Sequence, residues 1–124
     1  MDIINSDQAP KAIGPYSQAI RAGNVIYTSG QIALDPATGA LVEGDFAAQV
    51  HRVFANLNAV LVAGGATFSN VAKATVYLTD LANFTTLNEI YASYFGDTKP
   101  ARTTVGVAQL PKGGLVEIDL IAIV

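Results

Sequence analysis

The sequence predicts an α+β domain of two layers, a mixed sheet with two helices on one face, in the order β-β-α-β-α-β-β. Three observations carry that expectation. Apolar residues recur at helical spacing in two segments, one after Asp45 and one after about Asn83. Short runs rich in β-branched and apolar residues flank those segments. A length of 124 residues leaves room for one domain, 1–124, built on one core.

The first local signal is the Gly14-Pro15 turn in Ile13-Gly14-Pro15-Tyr16. Residues 17–21 and 25–29 read as a hairpin, because Gly23 and Asn24 both tolerate positive φ. Asp35-Pro36-Ala37-Thr38-Gly39 is a turn. Phe46, Val50, Val53, Phe54, Leu57 and Leu61 then mark one face of a helix, with Asp45 as N-cap and Gly64-Gly65 as stop. Residues 72–78 are β-rich. A second helix runs from about 83 to 95, its apolar face Phe84, Leu87, Ile90, Tyr91 and Tyr94, and Gly96 ends it. Residues 102–109 alternate as a strand, and 115–124 form a long final strand. The strands at 71–78 and 115–124 are expected in the sheet interior. A sheet with helices on one face leaves its other face needing cover, and an apolar open face favours packing against copies of the same chain.

Composition narrows the function classes. Half the chain is hydrophobic (51%) and only 14% is charged, a low figure for a small monomer and one that suits an oligomer. Net charge is −3, and the seven Lys and Arg are scattered, so nucleic acid is not an expected partner. With no cysteine there is no disulfide, thiolate metal site or cysteine nucleophile. Neither a signal peptide nor a run of about 20 apolar residues is visible, so no membrane role is expected and a cytoplasmic location is the simplest reading.

Candidate chemistry is sparse. The single histidine, His51, sits inside the first helix pattern without a second ligand, and reads as a surface side chain. No Walker loop or GxGxxG is present, and neither metal nor cofactor is expected. Glu117 and Asp119 lie two apart in the last strand and share one face, opposite Val116, Ile118, Leu120 and Ala122. Buried carboxylates are costly unless paired. Arg102 opens the preceding strand after Pro100. Its guanidinium suits a substrate carboxylate, and equally a cross-strand pair with Glu117 or Asp119. Tyr16, Ser29, Gly30 and Asn88 are each unremarkable alone.

Together these residues are specific. Ala12-Ile-Gly-Pro-Tyr-Ser-Gln-Ala, Tyr27-Thr-Ser-Gly-Gln-Ile, the Asn88 helix, Pro100-Ala-Arg-Thr-Thr-Val, Leu110-Pro-Lys and Val116-Glu-Ile occur in order. From about Ala12 to the C-terminus the chain resembles the RidA (YjgF-type) family. The resemblance implies a chorismate-mutase-like fold and a homotrimer whose sheets form a central β-barrel, with three clefts between subunits. It implies hydrolysis of reactive 2-enamine and 2-imine acids, of the 2-aminoacrylate and 2-iminopropionate type, to 2-keto acids and ammonia, without cofactor. Carried over, Arg102 clamps the substrate carboxylate and Glu117 places the attacking water. Tyr16, Ser29, Gly30, Asn88 and Thr104 shape the cleft, with Arg102 and Glu117 drawn from one subunit. The family often has Cys where this chain has Thr104, so thiol-dependent behaviour is out of reach. Competing readings are a non-catalytic keto-acid binder on the same trimer, a ribonuclease, and a pure assembly role.

Overall fold

The computed structural model describes all residues, Met1–Val124. Six strands form one sheet: β1 (Asp2–Ile4), β2 (Ala19–Ala22), β3 (Val25–Thr28), β4 (Val71–Leu78), β5 (Ala101–Gly106) and β6 (Val116–Ile123), with helices α1 (Phe46–Ala63) and α2 (Phe84–Phe95). The sheet order is β1-β2-β3-β6-β4-β5. All pairs are antiparallel except β4 with β5, the pair that α2 joins as a crossover. The two long strands β4 and β6 hold the interior, as their near-continuous β-rich runs predict.

The expected α+β order holds, with one strand added. β1 pairs with β2 through Asp2↔Arg21 and Ile4↔Ala19. Three residues carry too little periodicity to be read as a strand, and only the tertiary pairing defines them. The final stretch read as a strand over 102–109 stops at Gly106. Its partner β4 ends at Leu78, and after Val107 N donates to Leu78 O at 2.8 Å the ladder has nothing further to pair with.

Local chemistry places the other boundaries. Gly23, at φ 61°, turns β2 into β3. The Asp45 carboxylate accepts from Ala48 N at 3.0 Å and caps α1. Gly64 ends that helix by donating to Val60 O and Leu61 O, and Gly65 follows at φ 82°. A Cβ on Gly64 would come within 2.8 Å of Ile4 Cδ1 and 2.9 Å of Ile26 Cδ1, so both side-chain ends would have to shift for a larger residue at the helix end.

The core is a single cluster of 23 buried residues between the helices and one sheet face. All six apolar positions read for α1 are buried. On α2 only Leu87 and Phe95 are buried, with Ile90, Tyr91 and Tyr94 packed against the core at partial exposure. Phe84 departs from its expected place: it is 40% exposed and stays out of the core. β6 alternates as predicted, with Val116, Ile118, Leu120 and Ala122 buried towards the helices.

The opposite face of the sheet has no layer over it. Cross-strand register places Ile3, Ile20, Tyr27 and Ile121 in one row there, and Thr75, Tyr77, Glu117 and Asp119 in another region. Tyr27 is 48% and Ile123 42% exposed on that face. No helix is long and apolar enough to cross a membrane.

Candidate active site

One half of the predicted constellation gathers at a break in the β3–β6 ladder. Tyr27 pairs with Ile121 and Gln31 with Ile118, so four steps along one chain oppose three along the other. The extra residue bulges the chain at Thr28-Ser29-Gly30. Thr28 Oγ1 fills the gap by accepting from Leu120 N at 2.9 Å. Gly30 then passes directly beside Glu117: an added Cβ would fall 2.8 Å from the Glu117 carboxyl carbon. Glycine at this point is what lets the carboxyl group lie over the backbone.

This region opens as a cleft of about 320 Å³ lined by Tyr16, Gly30, Gln31, Pro111, Lys112 and Glu117 among others. Tyr16 is 54% exposed at its mouth. It is set by the tight turn in which Tyr16 N donates to Gly14 O at 2.9 Å, with Gly14 at φ 128°. The Ser29 hydroxyl donates to Ser17 O at 2.6 Å, tying this turn to the bulge. Gln18, which the sequence did not single out, is buried and holds the N-terminal segment: its Oε1 accepts from Ser6 N at 2.7 Å and its Nε2 donates to Pro10 O at 2.9 Å. Lys112 is the one non-glycine residue with positive φ, 56°, and its Nζ donates to Gly39 O at 3.0 Å across the cleft's rim.

Glu117 and Asp119 share the uncovered face, as their spacing predicts. Burial pushes the Glu117 carboxyl above its ordinary value, and the nearby Asp119 charge adds to the rise. Burial likewise raises Asp119, against hydrogen bonds from Tyr77 and Thr75 that favour its ionised form. The Tyr77 hydroxyl donates to Asp119 Oδ2 at 3.2 Å. Desolvation raises the Tyr77 hydroxyl's own pKa, with the Asp119 charge reinforcing it.

The other half lies across the sheet. In the parallel β4–β5 register Arg102 pairs with Ala74 and Thr104 with Val76, both buried under the helices. Arg102 therefore projects into the helix layer at the sheet's edge, where its Cζ sits 4.8 Å from the Tyr91 ring centroid and 5.5 Å from that of Phe84. The cross-strand ion pair with Glu117 or Asp119 does not form, because those carboxylates leave the sheet from its opposite face. For the same reason one chain does not bring Arg102 and Glu117 to one small substrate. The expectation that a single subunit supplies both is corrected: β5 and β6 are separated by β4, and the two side chains point apart.

Asn88 and Thr104 belong to this second half. Asn88 Oδ1, Thr104 Oγ1 and the Tyr91 hydroxyl oxygen are all buried without a hydrogen-bond partner in the chain. In native folds such atoms are completed by ordered water, an ion or another molecule. Burial raises the Tyr91 hydroxyl's pKa, and the Arg102 charge opposes that rise. Phe84 and Tyr91 were legible only as helix-face apolar residues. Their spacing with Asn88, at 84, 88 and 91, was the available signal that all three share one stripe.

His51 is exposed on α1, its Nδ1 2.7 Å from the Tyr94 hydroxyl, far in sequence and role from both halves. No group of three His, Cys, Asp or Glu side chains comes together in metal-binding fashion.

Comparison with known proteins decides the lineage. The family model described as Endoribonuclease L-PSP, the YjgF/RidA family, matches residues 6–124. The chain belongs to the RidA family. It is 57% identical over 122 residues to Protein DfrA of Myxococcus xanthus, covering 97% of this chain and 93% of that protein. It is 49% identical over 121 residues to the 2-iminobutanoate/2-iminopropanoate deaminase of Bos taurus, covering 98% and 88%. The crystal structure of RidA from the Antarctic bacterium Psychrobacter sp. PAMC 21119 superposes with TM-score 0.96 at 45% identity, covering 100% of each chain. The sheet with two helices is thus the fold of this family, and the Gly-Pro-Tyr turn, the Ser29-Gly30 bulge and Arg102 lie in its matched length.

Proposed function

We propose that this RidA-family chain is a hydrolytic deaminase that converts 2-enamine and 2-imine acids, of the 2-aminoacrylate and 2-iminopropionate type, to 2-keto acids and ammonia. The observation that carries the reading is Arg102. Its guanidinium rests on two aromatic rings and donates to no acceptor in the chain, so its N–H edge is free for a carboxylate. The bovine relative named for this reaction supports it.

The division of the site between two sheet faces supports an assembly. The uncovered apolar row of Ile3, Ile20, Tyr27 and Ile121 is a surface for copies of the chain. In a homotrimer the Arg102 half of one subunit faces the Glu117 half of the next, giving three clefts. Arg102, Asn88 and Thr104 then hold the substrate's carboxylate end, and Tyr16, Ser29, Gly30 and Glu117 enclose the imine.

The chemistry asks little of the protein. Water adds to the imine carbon. Glu117 takes a proton from that water and returns it to nitrogen, giving the carbinolamine. It then takes the hydroxyl proton and passes it to nitrogen as the C–N bond breaks, so both water protons leave on ammonia and the oxygen stays on the keto acid. Its raised pKa suits a group that must both take and give a proton. Fixing the carboxylate on Arg102 places the carbon against the water. Neither metal nor cofactor enters this route. The reaction belongs in the cytoplasm, where dehydratases using pyridoxal phosphate release such imines.

A second reading is a trimer that binds small carboxylic or keto acids without turnover. It is favoured by the same free guanidinium, which holds a carboxylate whether or not turnover follows. An RNA-cleaving role is disfavoured by the net charge of −3 and by a lone histidine engaged with Tyr94. The deciding experiment follows loss of freshly generated 2-iminopropionate, trapped with semicarbazide, for wild type and Arg102→Ala. Acceleration that requires Arg102 supports the deaminase. Keto-acid binding without acceleration supports the binder.

A further inference from the structure

We propose that Phe84 and Tyr91 are positioning residues for Arg102: their ring faces hold the guanidinium at the sheet edge with its hydrogen-bonding edge turned out to a carboxylate. The inference rests on the reading of Arg102 as the carboxylate clamp, and adds to it the means by which the clamp is held ready.

The three arginines differ in how they are tied down. Arg21 Nε donates to Gly23 O at 3.0 Å, and Arg52 Nε donates to Asn56 Oδ1 at 3.0 Å. Arg102 instead lies against π faces, 4.8 Å from Tyr91 and 5.5 Å from Phe84. A carboxylate or carbonyl partner would restrain the side chain but occupy the N–H groups needed for an anion. A ring face restrains it through the guanidinium plane and leaves those donors unused.

The two rings are built differently. Tyr91 is anchored: its ring lies 4.5 Å from Phe95 and 6.0 Å, edge-on, from Phe54, both in the core. It is a fixed floor. Phe84, two turns earlier on the same helix stripe, is 40% exposed and makes no use of the core that its neighbour Leu87 enters. A large apolar ring outside the core of its own chain adds nothing to that core, and its position beside Arg102 gives it a role. Lysine fills this seat less well, since its ammonium is drawn to a ring face but has no plane to stack on it and no fork of donors for a carboxylate.

The test is a double-mutant cycle read by pyruvate binding as well as by turnover of 2-iminopropionate. Phe84→Leu folds as wild type because the ring is outside the core. It is expected to weaken pyruvate binding and raise KM roughly two- to fivefold, with kcat much less affected. Tyr91→Leu is expected to do the same more strongly, and Tyr91→Phe, which keeps the ring face, to restore binding to within about twofold of wild type. In an Arg102→Lys background the ring substitutions are expected to cost clearly less than beside Arg102, since an ammonium keeps only part of the ring attraction. The proposal is overturned if Phe84→Leu leaves KM and pyruvate affinity unchanged, or if its penalty persists in full beside Arg102→Lys. Wild type that binds pyruvate through this pattern but turns over no imine removes the deaminase reading and leaves the ring seat standing. Wild type that binds no carboxylate at all removes both.

Discussion

The two faces of the sheet keep charge in opposite ways. On the helix-covered side, at the edge strand β5, Arg102 is restrained by rings and has no anionic neighbour. On the uncovered side, in the interior strand β6, Glu117 lies against Gly30 and Asp119 accepts from the Tyr77 hydroxyl. A sheet whose only aim was stability would carry apolar side chains at these positions, or give each desolvated charge a partner. Here each stays incomplete, and three polar atoms beside Arg102 stay unpartnered as well. Two halves on opposite faces of one chain are what the proposed site between copies requires.

The largest effect expected is at Arg102. Arg102→Ala should lower kcat/KM for 2-iminopropionate by about 10³-fold, the loss of a desolvated charge contact, while circular dichroism and the mass of the assembly stay as in wild type. A variant that retains full turnover breaks the two-half arrangement outright. Glu117→Gln should lower kcat by roughly 10²–10³-fold with KM little changed, because it removes proton transfer and leaves the carboxylate clamp intact. If KM rises instead while kcat holds, the acidic half binds rather than reacts. Mixing the two inactive variants sharpens the comparison further: subunits that exchange should regain part of the activity, since one cleft type then carries both native halves.

Gly30→Ala tests how the acidic half is shaped. The new methyl collides with the Glu117 carboxyl group, so turnover should fall about tenfold and stability by about 1–2 kcal/mol, measured by urea unfolding.

The next effect concerns pH. Glu117 and Asp119 both titrate higher in the folded chain than in the unfolded one. Between those values the native state holds more protons, so stability falls as pH rises. The contribution is fully present below the unfolded carboxylate range, about 4, and is lost as pH climbs through the raised folded values. Wild type should therefore lose on the order of a few degrees of Tm across that window relative to the Glu117→Gln, Asp119→Asn double variant. A parallel pair of Tm curves would show that the acidic face is not strained by its own burial. The smallest change lies away from both halves. Asp45→Ala removes the α1 cap and should cost about 1 kcal/mol with kcat/KM unchanged.

Much of the architecture was legible in the chain because it rests on short-range physics. The α1 stripe from Phe46 to Leu61, its Asp45 cap and Gly64 stop, the Gly23 turn and the alternation along β6 all depend on residues a few positions apart. The candidate site residues were legible as a set through the order of their motifs, from Gly14-Pro15-Tyr16 to Glu117. Their grouping was not. Phe84 read as core and is a ring beside Arg102; Arg102 read as a possible partner of Glu117 and leaves the sheet on the other side.

What the sequence determined by itself is therefore the identity of the elements and the chemistry available: two amphipathic helices, strands with one apolar face, an arginine at the head of a strand, two carboxylates on one side of the last strand. What only the tertiary structure decided is which face of the sheet each functional group occupies relative to the others. Periodicity tells that Glu117 opposes Ile118 within a strand, and that Arg102 opposes Thr103 within another. Whether Arg102 shares a face with Glu117 depends on the register of β4 against β5 and of β4 against β6, where a slip of one residue exchanges the faces. That register is settled by the packing of Ala74, Val76, Leu120 and Ile118 beneath the helices, a long-range choice that no local pattern contains.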